Sequence, residues 1–279
     1  MRKKPSTARP AENRRHEVLA ITEAELLQLT SDLDEMHHAT LPALREAVDE
    51  WADELRAGGA ALARTRTSRR RFLAGGGAAL GALALVACGT DDDVPVGGNP
   101  TPTDPPGTYR PLSGDFAVAG LAAALENLAV NSYQAGLDAA TAGKLGAVPP
   151  AVATFATTAK AQHADHAAAW NSVLTNGGRK AITGVDQTVK TEVVDPGFAQ
   201  VTDVAGLARF ALGLENLAAA TYLNDIAVLE NNNALKIAAS IQPVEMQHAA
   251  ILNFVLGQYP VPDAFAKTDG ARPPTDVIW

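Results

Sequence analysis

Two short words recur along the chain, and both carry side chains fit for metal chemistry. Leu125-Glu126-Asn127-Leu128-Ala129 returns as Leu214-Glu215-Asn216-Leu217-Ala218, an offset of 215 minus 126, or 89, and seven residues beyond each glutamate stands a tyrosine, Tyr133 and Tyr222. Gln162-His163-Ala164-Asp165-His166-Ala167-Ala168 returns as Val244-Glu245-Met246-Gln247-His248-Ala249-Ala250, an offset of 248 minus 166, or 82. Residues three apart on a helix share a face, so His163 with His166, and Glu245 with His248, can reach one cavity. Carboxylate oxygens mixed with imidazole nitrogens suit Fe(II), Mn(II) or Zn(II), and bridging carboxylates let two ions share a site. After Cys88 the only histidines are His163, His166 and His248, all inside the repeated words. Burying three carboxylates in one core without a cation would be costly.

Helices must position these groups. Apolar periodicity and punctuation predict four, over about 114–142, 150–175, 203–231 and 234–257. Asp115 and Asp203 are candidate caps, Pro149 and Pro150 open the second helix, and Asn176-Gly177-Gly178 closes it. About 25 residues separate the second helix from the third, while the other joints are short. Pro243 falls inside the fourth helix and is expected to kink it or shift its start. An all-α four-helix bundle with a long crossover between helices two and three follows, with those two helices parallel. Alanine-rich composition and 5% aromatics agree with close helix packing.

On these residues the sequence resembles the ferritin-like superfamily of carboxylate-bridged two-metal proteins, and in particular its bacterial exported members. The family pattern is one Glu on each of two helices and Glu-x-x-His on each of the other two. The resemblance covers about 114–257. It implies a metal ligand set of Glu126, His163, His166, Glu215, Glu245 and His248, with His163 standing where the family has a glutamate that commonly bridges two ions. An imidazole nitrogen holds one ion at a time, so a single-metal or unequal two-metal site is compatible with the departure. Tyr133 and Tyr222 share a face with their glutamates and are candidates to hydrogen-bond a ligand, to take part in one-electron chemistry or to pack in the core. Trp170 reads as core and Asp165 as solvated. The catalytic residues are not assigned.

The rest of the chain concerns location. Ser68-Arg69-Arg70-Arg71-Phe72-Leu73 runs into a Gly/Ala-rich apolar stretch that ends at Leu85-Val86-Ala87-Cys88, and Cys88 is the single cysteine among 279 residues. Residues 64–88 read as a twin-arginine signal peptide with a lipobox, too short an apolar run to span a membrane comfortably. Lipidation at Cys88 would anchor the mature protein to the outer face of the cytoplasmic membrane, with the twin-arginine export machinery as a partner. Residues 89–113, rich in Asp, Pro and Gly, read as a disordered tether. Residues 258–279 form a Pro-rich tail. The part after Cys88 has 10 Lys and Arg against 19 Asp and Glu, which argues against nucleic acid.

Residues 1–63 read as a helical extension, with amphipathic periodicity at Leu26, Leu29, Leu33 and Met36 and then at Leu44, Val48, Trp51 and Leu55. Thr22 with Glu25 resembles a capping box and Thr40 before Pro42 a second helix start, so two short helices are expected. Met36 is an alternative start. Glu35 with His38, and Asp34 with His37, repeat the three-residue spacing, but they precede the signal and read as a solvated face. The extension is also a candidate docking module for a cytoplasmic chaperone or targeting factor. The expected function is a tethered protein binding one or two Fe, Mn or Zn ions, in iron oxidation or in handling peroxide and oxidative stress. A non-catalytic envelope bundle with a structural or vestigial site is the alternative.

Overall fold

The computed structural model describes residues 21–75 and 112–274, with side-chain placement for 21–58 and 112–274. Cys88, residues 76–87 of the apolar run before it, residues 89–111 of the linker and both chain ends lie outside the described residues, as do the side chains of the arginine pair. Every regular element among the described residues is helical. They are α1 (Glu23–Gly75), α2 (Asp115–Thr141), α3 (Pro150–Asn176), the short α4 (Gln187–Val189) and α5 (Asp195–Phe198) joined by a π-helical turn (Lys190–Val194), α6 (Val204–Val228) and α7 (Asn232–Val255). Among the described residues no helix is long and apolar enough to cross a membrane.

Helices α2, α3, α6 and α7 form the bundle, paired as α2 with α3 and α6 with α7. Their ends follow local chemistry. Pro149 and Pro150 occupy the N-cap and first turn of α3, where a missing N–H costs nothing. Asp203 caps α6 by accepting the Gly206 amide at 2.6 Å, and Asn231 caps α7 by accepting those of Asn233 and Ala234. Asp115 does not cap α2. Its two oxygens instead accept the backbone amides of Glu230 and Asn231, at 3.0 and 2.8 Å, and fasten the start of α2 to the turn between α6 and α7. Helix α7 is unbroken through Pro243, whose ring nitrogen has no hydrogen to donate to the preceding turn.

The crossover from Gly177 to Asp203 runs outside α2 and α6. Val185, Val189 and Val194 pack there against Leu128, Leu125, Phe210 and Leu214. Asn127 donates to the Ile182 and Gly184 carbonyls, and Asn171 grips Ile182 through both amide and carbonyl. The tail returns to the body at Arg272, whose amide donates to Thr221 and whose guanidinium meets the buried Asp186 at 3.1 Å.

Helix α1 departs most from expectation. It is one continuous helix, not two, opened by the Thr22–Glu25 capping box and continuing past Pro42. It is also part of the core. Leu26 and Leu33 cluster with Phe155, Leu252 and Val255, while Leu41, Leu44, Val48 and Trp51 cluster with Trp170, Val173, Leu174 and Ile237. The start of α1 thus meets the start of α3, and its later turns meet the end of α3, so the two helices run side by side in the same direction. Trp51 stacks on Phe116 at 5.8 Å, and Glu54 accepts from Asn231 and Asn233 at the start of α7. The buried stripe runs through Leu26, Thr30, Leu33, His37, Leu41, Leu44, Val48 and Trp51, which leaves Met36 exposed. His37 therefore does not lie on a solvated face. Glu35 and His38 do.

Candidate metal centre

The six residues singled out by the repeat converge in the middle of the bundle, each no more than 3% exposed. Glu126 comes from α2, His163 and His166 from α3, Glu215 from α6, and Glu245 and His248 from α7. Their ligand atoms fall into two overlapping groups, each gathered within 4.8 Å. One comprises Glu126, His163, His166 and Glu245, the other His163, Glu215, Glu245 and His248. Glu245 and His163 belong to both.

His166 Nδ1 lies 3.0 Å from Glu245 Oε1 and 3.5 Å from Glu126 Oε1. His248 Nδ1 lies 3.3 Å from Glu215 Oε2 and 3.7 Å from Glu245 Oε2. The same ring nitrogen of each histidine thus faces the carboxylates. His163 spans the centre, with Nδ1 at 2.7 Å from Glu126 Oε2 and Nε2 at 3.3 Å from Glu215 Oε1. Neither oxygen of Glu245, nor His166 Nδ1, has an aligned hydrogen-bond partner despite these short separations. A buried carboxylate and an imidazole nitrogen left unpaired amid these ligand atoms fit a shared cation better than a fully hydrogen-bonded polar core.

Electrostatics agree with that fit. Burial alone would raise the Glu126 carboxyl, but His166 and His163 outweigh it and hold the group at about 2. Burial likewise opposes charge on His166, yet Glu126 and Glu245 carry it up to about 9. His163 is raised well above the usual imidazole range against its burial, through Glu245 and Glu215. The buried carboxylates thus hold protons on the imidazoles, where cations would sit.

The outer partners are crossed between the helix pairs. Tyr133 on α2 donates to Glu215 on α6, and Tyr222 on α6 donates to Glu126 on α2 at 2.5 Å. Burial, and the carboxylate each one serves, keep both hydroxyls protonated. Trp170 Nε1 donates to the Tyr222 hydroxyl at 2.9 Å, so this core residue also steadies the site. His248 Nε2 donates to Gln162 Oε1 at 2.8 Å, which turns Nδ1 toward Glu215 and the other ligand atoms. Gln162 is a functional residue that the ligand spacing alone does not single out. Its signal was the amide placed directly before His163, where the other copy has Val244.

An apolar cavity of about 70 Å³ adjoins the cluster. Leu125, Leu128, Phe155, Leu207 and Leu214 line it, with Tyr133, His163 and Glu215 among its walls. It supplies room for a small uncharged molecule beside the Glu215 half of the cluster.

Compared with known protein families, the chain matches the model of the ferritin-like domain over residues 114–258, just over half its length. No curated protein and no solved structure matches it.

Proposed function

We propose, for a chain that belongs to the ferritin-like domain family, that the buried cluster binds one or two transition-metal ions, Fe or Mn in preference to Zn, and serves iron oxidation or peroxide handling. The observation that carries this reading is Glu245, fully buried, common to both ligand groups and with neither oxygen hydrogen-bonded. Iron bound there would supply redox chemistry toward dioxygen or peroxide at an open position. Around it the chain's own groups have defined tasks. Glu126, His166 and Glu245 would hold one ion, and Glu215, His248 and Glu245 the other. Tyr133 and Tyr222 orient the terminal glutamates, Gln162 fixes the His248 ring, and the apolar cavity admits a small oxidant while limiting water. The test is consumption of hydrogen peroxide, or oxidation of added Fe(II), by the iron-loaded full chain. A rate above that of free iron, lost in Glu245→Ala, supports the reading. A rate equal to free iron reduces the protein to a binding protein.

His163 favours a second reading. It occupies the place of a bridging carboxylate and contacts both Glu126 and Glu215, which suits a single structural ion in a non-catalytic envelope bundle. One Zn retained per chain, with no peroxide consumption, would select it.

For location we propose export through the twin-arginine route and anchoring by lipid on Cys88, at the outer face of the cytoplasmic membrane. The support is the coincidence of Arg69-Arg70 with the single cysteine at the end of the following apolar run. The packing of α1 sets a condition on this. Cleavage before Cys88 severs α1 from the bundle, so the docked helix and a processed, tethered bundle are two different states of the chain. Mass spectrometry of membrane fractions distinguishes a diacylated Cys88 N-terminus from the uncut chain.

A further inference from the structure

Because α1 runs in line with α3, its middle turn reaches the metal centre. The His37 ring, 3% exposed, stands 5.2 Å from the His166 ring, centroid to centroid, at an interplanar angle of 57°. Neither of its nitrogens has a hydrogen-bond partner. A buried imidazole left unsatisfied on both sides is a cost that a merely structural helix would avoid with leucine. One turn earlier, Asp34 Oδ1 accepts from Gln162 Nε2 at 3.3 Å, and Gln162 in turn accepts from His248. Helix α1 already reaches the His248 half of the cluster through that relay.

The internal repeat shows what the other half lacks. His166 and His248 are equivalent positions, 82 residues apart, and the ring of His248 is held by Gln162. The residue 82 places beyond Gln162 is Val244, which has no group to offer the ring of His166. The polar side chain beside that ring comes instead from outside the repeat, and it is His37. We infer that, in the uncut chain, α1 is a fifth, functional helix of the metal centre, and that His37 is the positioning residue for His166. His166 turns Nδ1 to the carboxylates, so its far ring nitrogen needs a partner to fix tautomer and orientation. A rotation of the His37 ring would bring one of its nitrogens to the His166 ring across the observed centroid separation of 5.2 Å. The inference deepens the metal reading and rests on it.

The probe is Co(II) added to the apo full chain, followed by visible absorption and by titration. The wild type is expected to bind Co(II) with a spectrum of mixed nitrogen and oxygen ligation. His37→Leu is expected to weaken uptake at the Glu126/His166 half about tenfold and to change the spectrum, with an unchanged or raised apo melting temperature. His37→Gln, which restores a polar partner, is expected to recover affinity and spectrum. Wild-type spectrum and affinity in His37→Leu would overturn the inference, as would equal apo destabilisation of both variants with no spectral change. Should the wild type itself bind no Co(II), the metal reading fails and the inference with it. Binding by the wild type with an indifferent His37→Leu fails the inference alone.

Discussion

Tyr222 on α6 donates its hydroxyl to Glu126 on α2 at 2.5 Å, across the bundle rather than along its own helix. Tyr133 makes the reciprocal bond to Glu215. Each tyrosine stands seven residues after one glutamate and serves the other, so the two copies of the repeat are cross-linked at the cluster itself. Tyr222→Phe leaves a buried carboxylate and the Trp170 indole short of a partner. It is expected to lower apo stability by about 2 kcal/mol in chemical denaturation and to weaken Co(II) binding. Tyr133→Phe should do the same at the Glu215 side, without the indole's share.

Helix α1 is expected to behave as core. Trp51→Ala removes a ring that is 4% exposed and stacked on Phe116, and should cost about 3 kcal/mol. A denaturation midpoint equal to that of the wild type would mean that the extension does not pack on the bundle in solution.

Asp225 is fully buried, neither of its oxygens has a hydrogen-bond partner, and burial pushes its carboxyl up to about 7. The unfolded chain loses this proton near the ordinary 3.8, the folded chain only near 7. Protonated Asp225 is therefore favoured by folding. The stability this provides is complete below about pH 4 and is lost as pH rises through about 7, by at most roughly 4 kcal/mol. Asp225→Asn should remove this component, so its stability gain over wild type should grow across that window. A constant difference between the two proteins, measured by urea denaturation at several pH values, would contradict it.

Metal uptake should release protons. His166 is held at about 9, and His163 is raised well above the usual imidazole range, by the surrounding carboxylates, and a ligating nitrogen must be free of its proton. Co(II) affinity is then expected to climb as pH rises toward 9, with a binding heat in calorimetry that depends on the buffer's ionisation enthalpy. A heat independent of buffer would contradict this.

The bundle was legible because its boundaries are written in residues with local roles. Pro149-Pro150, Asp203 and Asn176-Gly177 act within a turn of where they stand, and the repeated words fixed which faces converge. Asp115 misled because a side chain next to a helix start can serve a distant turn instead of its own amides. Helix α1 was legible as amphipathic, but periodicity does not say what an apolar stripe packs against. Thr30 and His37 hid the true stripe by placing polar groups at core positions. Thr30 satisfies its hydroxyl on the Leu26 carbonyl at 2.8 Å, while His37 leaves its ring unpaired beside His166. The contact between α1 and the cluster joins segments on either side of Cys88, which no local pattern in the sequence records.

The central claim is that the buried cluster holds metal. Its most direct test is the metal content of the purified full chain after anaerobic loading with Fe(II), Mn(II) or Zn(II) and removal of free ions. The account predicts one or two ions retained per chain with a raised melting temperature, both lost when Glu245→Ala is combined with His248→Ala. No retained ion in the wild type, and the same melting temperature with and without metal, would contradict it.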